Sequence, residues 1–359
     1  MRRLLSLASA AALAASLAAA PAAFAKDVLH LYNWNNYIAP ETVKRFEAAC
    51  KCEVKQTYYS DNEEMLAKLA AGAKGYDIVV PTGNALESLI KQNKLLPIDK
   101  AKIPNLKNIN PAYLGTRFDP KNEYSVPYAY TITMLGYNDE KLKELGIPVD
   151  SWAVIFDPKI LEKIKGRVTV LDSSSELMAA ALKYLGYSIN ETDEKKLREA
   201  ADLIKKAKPY WAAFNASSYI KELTVGNIWV AHGYSNDIFQ ANLDAQAAGR
   251  KFRILHGLPK EGAVLAVDSM AILRNAPRPD LAYQFINFML DGKNSAELSN
   301  LIGSGNPNND ALQYIKPEVK SNKAVFPDQA VLGKLEQQQD FAAKDRRYRN
   351  RLWTEVKVK

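Results

Sequence analysis

Histidine and cysteine are nearly missing from this chain. Its 359 residues hold three histidines, His30, His232 and His256, scattered along the length, and two cysteines, Cys50 and Cys52. That excludes a disulfide-built scaffold, and no His/Cys set has the spacing of metal ligands. A bridge between Cys50 and Cys52 would close across one residue and be strained in extended chain. The pair reads as locally structural, bridged or not, rather than redox-active. Also missing are a G-x-S-x-G elbow, a G-x-x-x-x-G-K-[ST] phosphate loop, G-x-G-x-x-G after a strand, and H-E-x-x-H. The residues therefore demand no catalytic role, and no cofactor is expected. Past residue 25 no run approaches the ~20 consecutive apolar residues of a membrane-spanning helix.

What is present begins with a leader. Arg2 and Arg3 precede an Ala/Leu run to Ala20, and Ala23–Phe24–Ala25 has the small-x-small form of a cleavage site. Residues 1–25 are read as a secretory signal peptide, so the mature chain is expected to be exported and soluble. Its removal takes the formal charge from +8 to +6, because the leader holds two arginines and no acid. The remaining positive charge is spread over helical faces, which argues against nucleic acid as a partner. The one dense basic run, residues 344–349, reads as a solvated helix face. The mature chain exceeds the ~250–300 residues at which single cores stop growing, so two lobes are expected.

Strands and helices alternate from residue 28. Residues 28–32 read as a strand, 41–49 as a helix, 53–59 as a strand, 62–71 as a helix and 77–80 as a short strand, followed by Pro81–Thr82–Gly83–Asn84 and a helix over 85–92. This order predicts an α/β fold with a mainly parallel sheet and ligand loops at one edge. Thr82 or Asn84 is the natural helix N-cap there. Residues 103–128 are Pro- and Asn-rich and read as irregular, leading to a strand over 131–137. Further helices (176–185, 194–206, 237–248) and strands (168–171, 227–231, 252–255, 263–273) follow. The segments divide into one lobe of residues 26–132 plus about 256–303, and a second of 133–255 plus about 304–359. The crossings make a hinge, and the cleft between lobes is the natural ligand site.

The stretch from His30 to Tyr37 turns from strand into Asn-rich turn chemistry at Asn33, Asn35 and Asn36 before Pro40 opens a helix. Trp34 and Tyr37 then stand at the carboxyl end of the first strand, where open α/β sheets place ligands. Three carboxylates lie near other strand ends. Asp268 interrupts an apolar run over 263–273, where a lone ionised carboxylate costs several kcal/mol unless paired. It is either capped by local backbone N–H groups or part of a site, and the site reading is preferred. Asp237 opens a helix after the loop 233–236, a position the helix dipole favours regardless of function. Ser173-x-x-Glu176 has the form of a capping box, which by itself accounts for Glu176. With Trp34, Tyr37, Tyr234 and Trp229 nearby in the pattern, the three acids suit a ligand with several ammonium groups, since aromatic faces add roughly 0.5–2 kcal/mol each by cation–π contact.

Several motifs carry a resemblance over essentially the whole mature chain. Tyr32–Asn33–Trp34–x–x–Tyr37–Ile38–x–Pro40, Tyr76–Asp77–Ile78–Val79–Val80–Pro81–Thr82, Ser125–Val126–Pro127–Tyr128, Pro259–Lys260–Glu261–Gly262, Ile286–Asn287–Phe288 and Trp353–Thr354–x–Val356–Lys357 resemble the periplasmic polyamine-binding proteins of ABC transporters, the putrescine branch above all. The resemblance implies a two-lobed periplasmic binding fold of type II kind, a monomer without enzymatic activity, a polyamine ligand and a membrane permease as partner. Carried over by position, it places Trp34, Asn35, Tyr37, Thr82, Ser173, Glu176, Tyr234, Asp237 and Asp268 at the ligand. The chain departs from the pattern at Asn36, where the family has an acid, and at Ala266 and Ser304, where it has large rings. Gln338 looks like the glutamine of spermidine binders. A wider, less aromatic and less acidic pocket is expected, which would suit a longer polyamine, a guanidinylated amine or a solute outside the class. The competing readings are a site for another cationic or amino-acid-derived solute, and an exported enzyme on the same scaffold.

Overall fold

The computed structural model describes residues 26–59, 61–215 and 217–358. The expected leader lies outside the described residues. Strands β1 (Val28–Trp34), β2 (Glu53–Tyr59) and β3 (Ile78–Val79) form a parallel set, β2–β1–β3, with helices α1 (Pro40–Cys50), α2 (Asn62–Ala70) and α3 (Gly83–Lys91) between and after them. Pro40 starts α1 where no N–H is needed, and Thr42, Val43 and Phe46 are its buried face. β4 (Val126–Asn138) follows a region of short 3₁₀ turns, then β5 (Val168–Leu171), α4 (Ser174–Tyr184), α5 (Glu194–Ala207), β6 (Ala213–Asn215), β7 (Val230–Tyr234) and α6 (Ser235–Ala247). β5 pairs in parallel with β6 and β7, so the second lobe repeats the logic of the first. β8 (Ile254–Gly257) and β9 (Leu265–Ile272) return the chain to α7 (Pro279–Met289) and α8 (Gly292–Ile302), and α9 (Ala343–Val358) packs on α5 and α4.

The sheet is mixed rather than mainly parallel, because two long strands tie the lobes together antiparallel. The first half of β4, from Val126 to Ile132, pairs with β9, and its second half, from Thr133, pairs with β7 and β8. β9 reaches on to β3. β4 therefore begins earlier than its sequence suggests: Pro127, which cannot donate to a ladder, sits at the register shift opposite Ser269. β7 lies later than expected, since Asn227 and Ile228 still bond back to Glu222 at the end of the preceding helix. A third connection joins the lobes after α8, where Gly305 and Tyr130 exchange backbone bonds and Glu336 pairs beside Val264. Cys50 and Cys52 are bridged, with Lys51 between them in the left-handed conformation at φ 55°.

No described helix is long and apolar enough to cross a membrane. The basic run 344–349 is only partly a solvated face: Arg349 is buried, donates to the carbonyls of Ile189 and Glu191, and lies over the Phe341 ring at 4.0 Å.

Candidate functional site: an acidic cleft between the lobes

The carboxyl ends of the parallel strands from both lobes face one cleft of about 790 Å³. From the first lobe, β1 and β2 end in register at Trp34 and Tyr59. Their rings meet edge to face at 4.6 Å, and both are anchored on one carbonyl: Trp34 Nε1 and the Tyr59 hydroxyl donate to the oxygen of Val80 at 2.9 and 2.5 Å. The result is a rigid aromatic wall whose polar ends are satisfied from behind. Tyr59 was not singled out from sequence. The signal was there, since the residue paired with a strand-end Trp in a parallel sheet shares its edge.

Asp268, on β9, is buried and opens into this cleft. The Tyr37 hydroxyl donates to its Oδ2 at 2.6 Å and the Thr82 hydroxyl to its Oδ1 at 2.5 Å. Thr82 thus occupies the N-cap position of α3 without capping it, its hydroxyl being committed to Asp268. Burial pushes the Asp268 carboxyl up to about 6, with the two hydroxyls pulling it part of the way back. Two neutral donors orient the carboxylate, and no cation among the described residues pairs with it.

Glu176 enters from the second lobe on the first turn of α4. Ser173 does cap, its Oγ accepting the Glu176 N–H at 3.4 Å, but the reciprocal half of the box is not made. The Glu176 side chain turns into the cleft, where Oε1 accepts from Gln338 Nε2 at 3.1 Å and Oε2 is buried without a hydrogen-bond partner among the described residues. Burial pushes this carboxyl up to about 7, against the pull of Thr133 and Gln338.

Asn35, Ser173, Tyr234 and Gln338 also line the cleft. Three expected residues do not. Asn36 is exposed with φ 54°, a left-handed turn position that Asn tolerates, and is not part of the cleft lining. Ser304 is fully buried in the third connection between lobes, beside Gly305. Asp237 lies one layer behind Tyr234 and Asn236, accepting from the Tyr219 hydroxyl at 2.5 Å and from Asn236 Nδ2 at 3.2 Å. Burial raises its carboxyl as well. Trp229 stands at the far end of β7, with Lys141 and Arg167 over its ring, and serves the surface rather than the cleft.

Sequence reasoning missed the acids of the rim. Asp61 and Glu63 at the start of α2 and Asp172 after β5 line the cleft mouth. Asp172 is paired from outside by Lys357 of α9 at 2.8 Å. Among the described residues, five carboxylates and no Lys or Arg line this space. No described group of His, Cys, Asp and Glu could hold a metal ion. Chemically the cleft can desolvate and hold a cation, with rings beside it and hydroxyls behind the acids.

Two α/β lobes tied by shared strands around a cleft lined from both sides define a solute-binding protein of the kind that closes on its ligand. The chain belongs to the bacterial extracellular solute-binding protein family, whose profile matches residues 41–327. It is 56% identical over 343 residues to a putrescine/cadaverine-binding protein of Pseudomonas aeruginosa, covering 96% of this chain and 97% of that one. It is 37% identical to the putrescine-binding periplasmic protein PotF of Escherichia coli K12, over 92% of each chain. Among solved structures, the spermidine/putrescine substrate-binding protein PotD of Streptococcus pneumoniae, in complex with calcium and HEPES, superposes with a TM-score of 0.85 at 28% identity, over 92% of this chain and 99% of that one. These relatives are named as solute-binding proteins, not enzymes.

Proposed function

We propose that this protein captures a polyamine in the periplasm, a diamine such as putrescine first of all, and hands it unchanged to an ABC permease. The observation that carries the reading is the pair Asp268 and Glu176: two buried carboxyls, one from each lobe, facing a space that no positive side chain lines among the described residues. One ammonium group on each would satisfy both lobes at once, and that shared bond is what favours the closed form. Trp34, Tyr37 and Tyr234 are assigned to the methylene chain, Thr82, Ser173 and Gln338 to orienting the acids, and Asn35 to the rim. Asp237 supports Tyr234 and Asn236 from behind and adds negative potential. The lobes meant are those divided along β4, with α9 on the second. Export rests on the leader read at residues 1–25 and on the relatives named as periplasmic, the permease partner on the resemblance and on relatives named as ABC transporter substrate-binding proteins, and the monomeric state on the resemblance alone.

The test is a thermal-shift and calorimetry panel of putrescine, cadaverine, spermidine, spermine and agmatine against neutral and anionic solutes. A bound amine at about 100 times its dissociation constant adds about 2.7 kcal/mol of stability, an easily measured rise in midpoint. Binding of an anion with no amine response would overturn the assignment.

A further inference from the structure

The cleft does not end at its acids. Phe118, Leu265 and Gln337 line it and also line a second cavity of about 430 Å³ that lies beyond them, against the third connection between the lobes. We propose that this annex takes the acylated arm of a mono-N-acylated polyamine, whose two remaining amines are held in the acidic cleft. The proposal rests on the polyamine reading above.

The two spaces share a wall but differ in charge. The annex holds one carboxylate, Glu336, and that one is already paired with Lys183 at 2.7 Å. At its outer side stands Arg117, exposed and without an ion pair among the described residues. A third ammonium group pushed through from the cleft would meet no free anion and one cation, so an unmodified triamine is disfavoured there. Acylation removes that charge. It leaves an amide that donates one hydrogen bond and accepts another, on a short apolar chain. The annex answers both needs: Leu265, Leu332 and Leu335 supply apolar wall, and Gln337 and Gln339, half-buried, have carboxamide side chains without hydrogen-bond partners among the described residues. Gln337 lines both spaces, and on this proposal the arm crosses beside it. Each methylene buried in the annex is worth about fourfold in affinity.

N1-acetylspermidine is the discriminating probe. Its two free amines keep the four-carbon spacing of putrescine, and its three-carbon arm carries the acetamide. Calorimetry on the full mature chain is expected to rank it at least equal to putrescine and about tenfold or more tighter than spermidine. N8-acetylspermidine, acylated on the other arm, leaves three-carbon spacing and is expected to bind more weakly. Ala112→Trp fills the annex from an exposed position that does not touch the cleft. It should weaken N1-acetylspermidine about tenfold or more while leaving putrescine unchanged. Leu332→Trp repeats the test should the first variant misfold. Spermidine matching N1-acetylspermidine, or both variants leaving the acetylated ligand unaffected, overturns the annex while the polyamine reading stands. If putrescine also fails to bind wild type, the polyamine reading itself falls and takes the annex with it.

Discussion

Burial without a cation gives Asp268 and Glu176 an unusual link to pH. Both carboxyls titrate higher in the folded protein than in the unfolded chain, at about 6 and about 7. The native state therefore binds more protons than the unfolded state between the two sets of values. Their contribution to stability is full below the unfolded pKa and is lost as pH rises through about 6 and then about 7. Ligand-free wild type should gain more stability on going from pH 8 to pH 5 than Glu176→Gln does, compared by denaturant midpoints. Ligand binding has the opposite sign, since an ammonium group needs the ionised acids. Affinity should fall below about pH 7, and binding near pH 6.5 should release protons, seen as an enthalpy that changes with buffer. Asp268→Asn keeps the shape and removes the charge, and is expected to weaken diamine binding by ~2–5 kcal/mol in calorimetry.

At the scale of elements, local signals explain most starts and stops, and their failures mark the site. Ser173 caps α4, but Glu176 leaves its half of the box for the cleft, and Thr82 gives its hydroxyl to Asp268 instead of α3. Neither diversion is visible locally, because each depends on a partner more than 150 residues away. The bridge between Cys50 and Cys52 fixes the turn from α1 to β2 through the left-handed Lys51. Closing so short a loop removes little chain entropy. Replacing both cysteines by serine should cost about 1.6 kcal/mol by the loop-entropy relation, far less than a long-range disulfide would. Gly305 has a stricter requirement, because a Cβ there would run into the Tyr130 ring across the third connection. Gly305→Ala should lower stability by about 1–3 kcal/mol, measured by urea unfolding.

For the molecule as a whole, β4 is the strand that the two ladders share. Its two halves belong to different ladders, so on the proposed function a ligand held by both Asp268 and Glu176 would draw the two ladders together across this one strand. Putrescine should reduce the radius of gyration of wild type in solution scattering. Glu176→Gln, which leaves Asp268 to bind from the first lobe alone, should lose most of that compaction at matched saturation.

The α/β class, the two lobes and the placement of Trp34 and Tyr37 at the carboxyl end of the first strand followed from periodicity, chain length and turn chemistry, which are local or additive properties of the chain; Asp268, expected near a strand end, instead stands in the middle of β9. The mixed sheet and the reach of β4 depended on which strands meet, and so did the pairing of Trp34 with Tyr59. The same is true of which acids face the cleft. Asp237 and Asp268 were both expected at the ligand, yet the Tyr219 hydroxyl engages the first behind Tyr234 while the second opens into the cleft. Direction and burial are set by neighbours distant in the chain, and no short stretch encodes them.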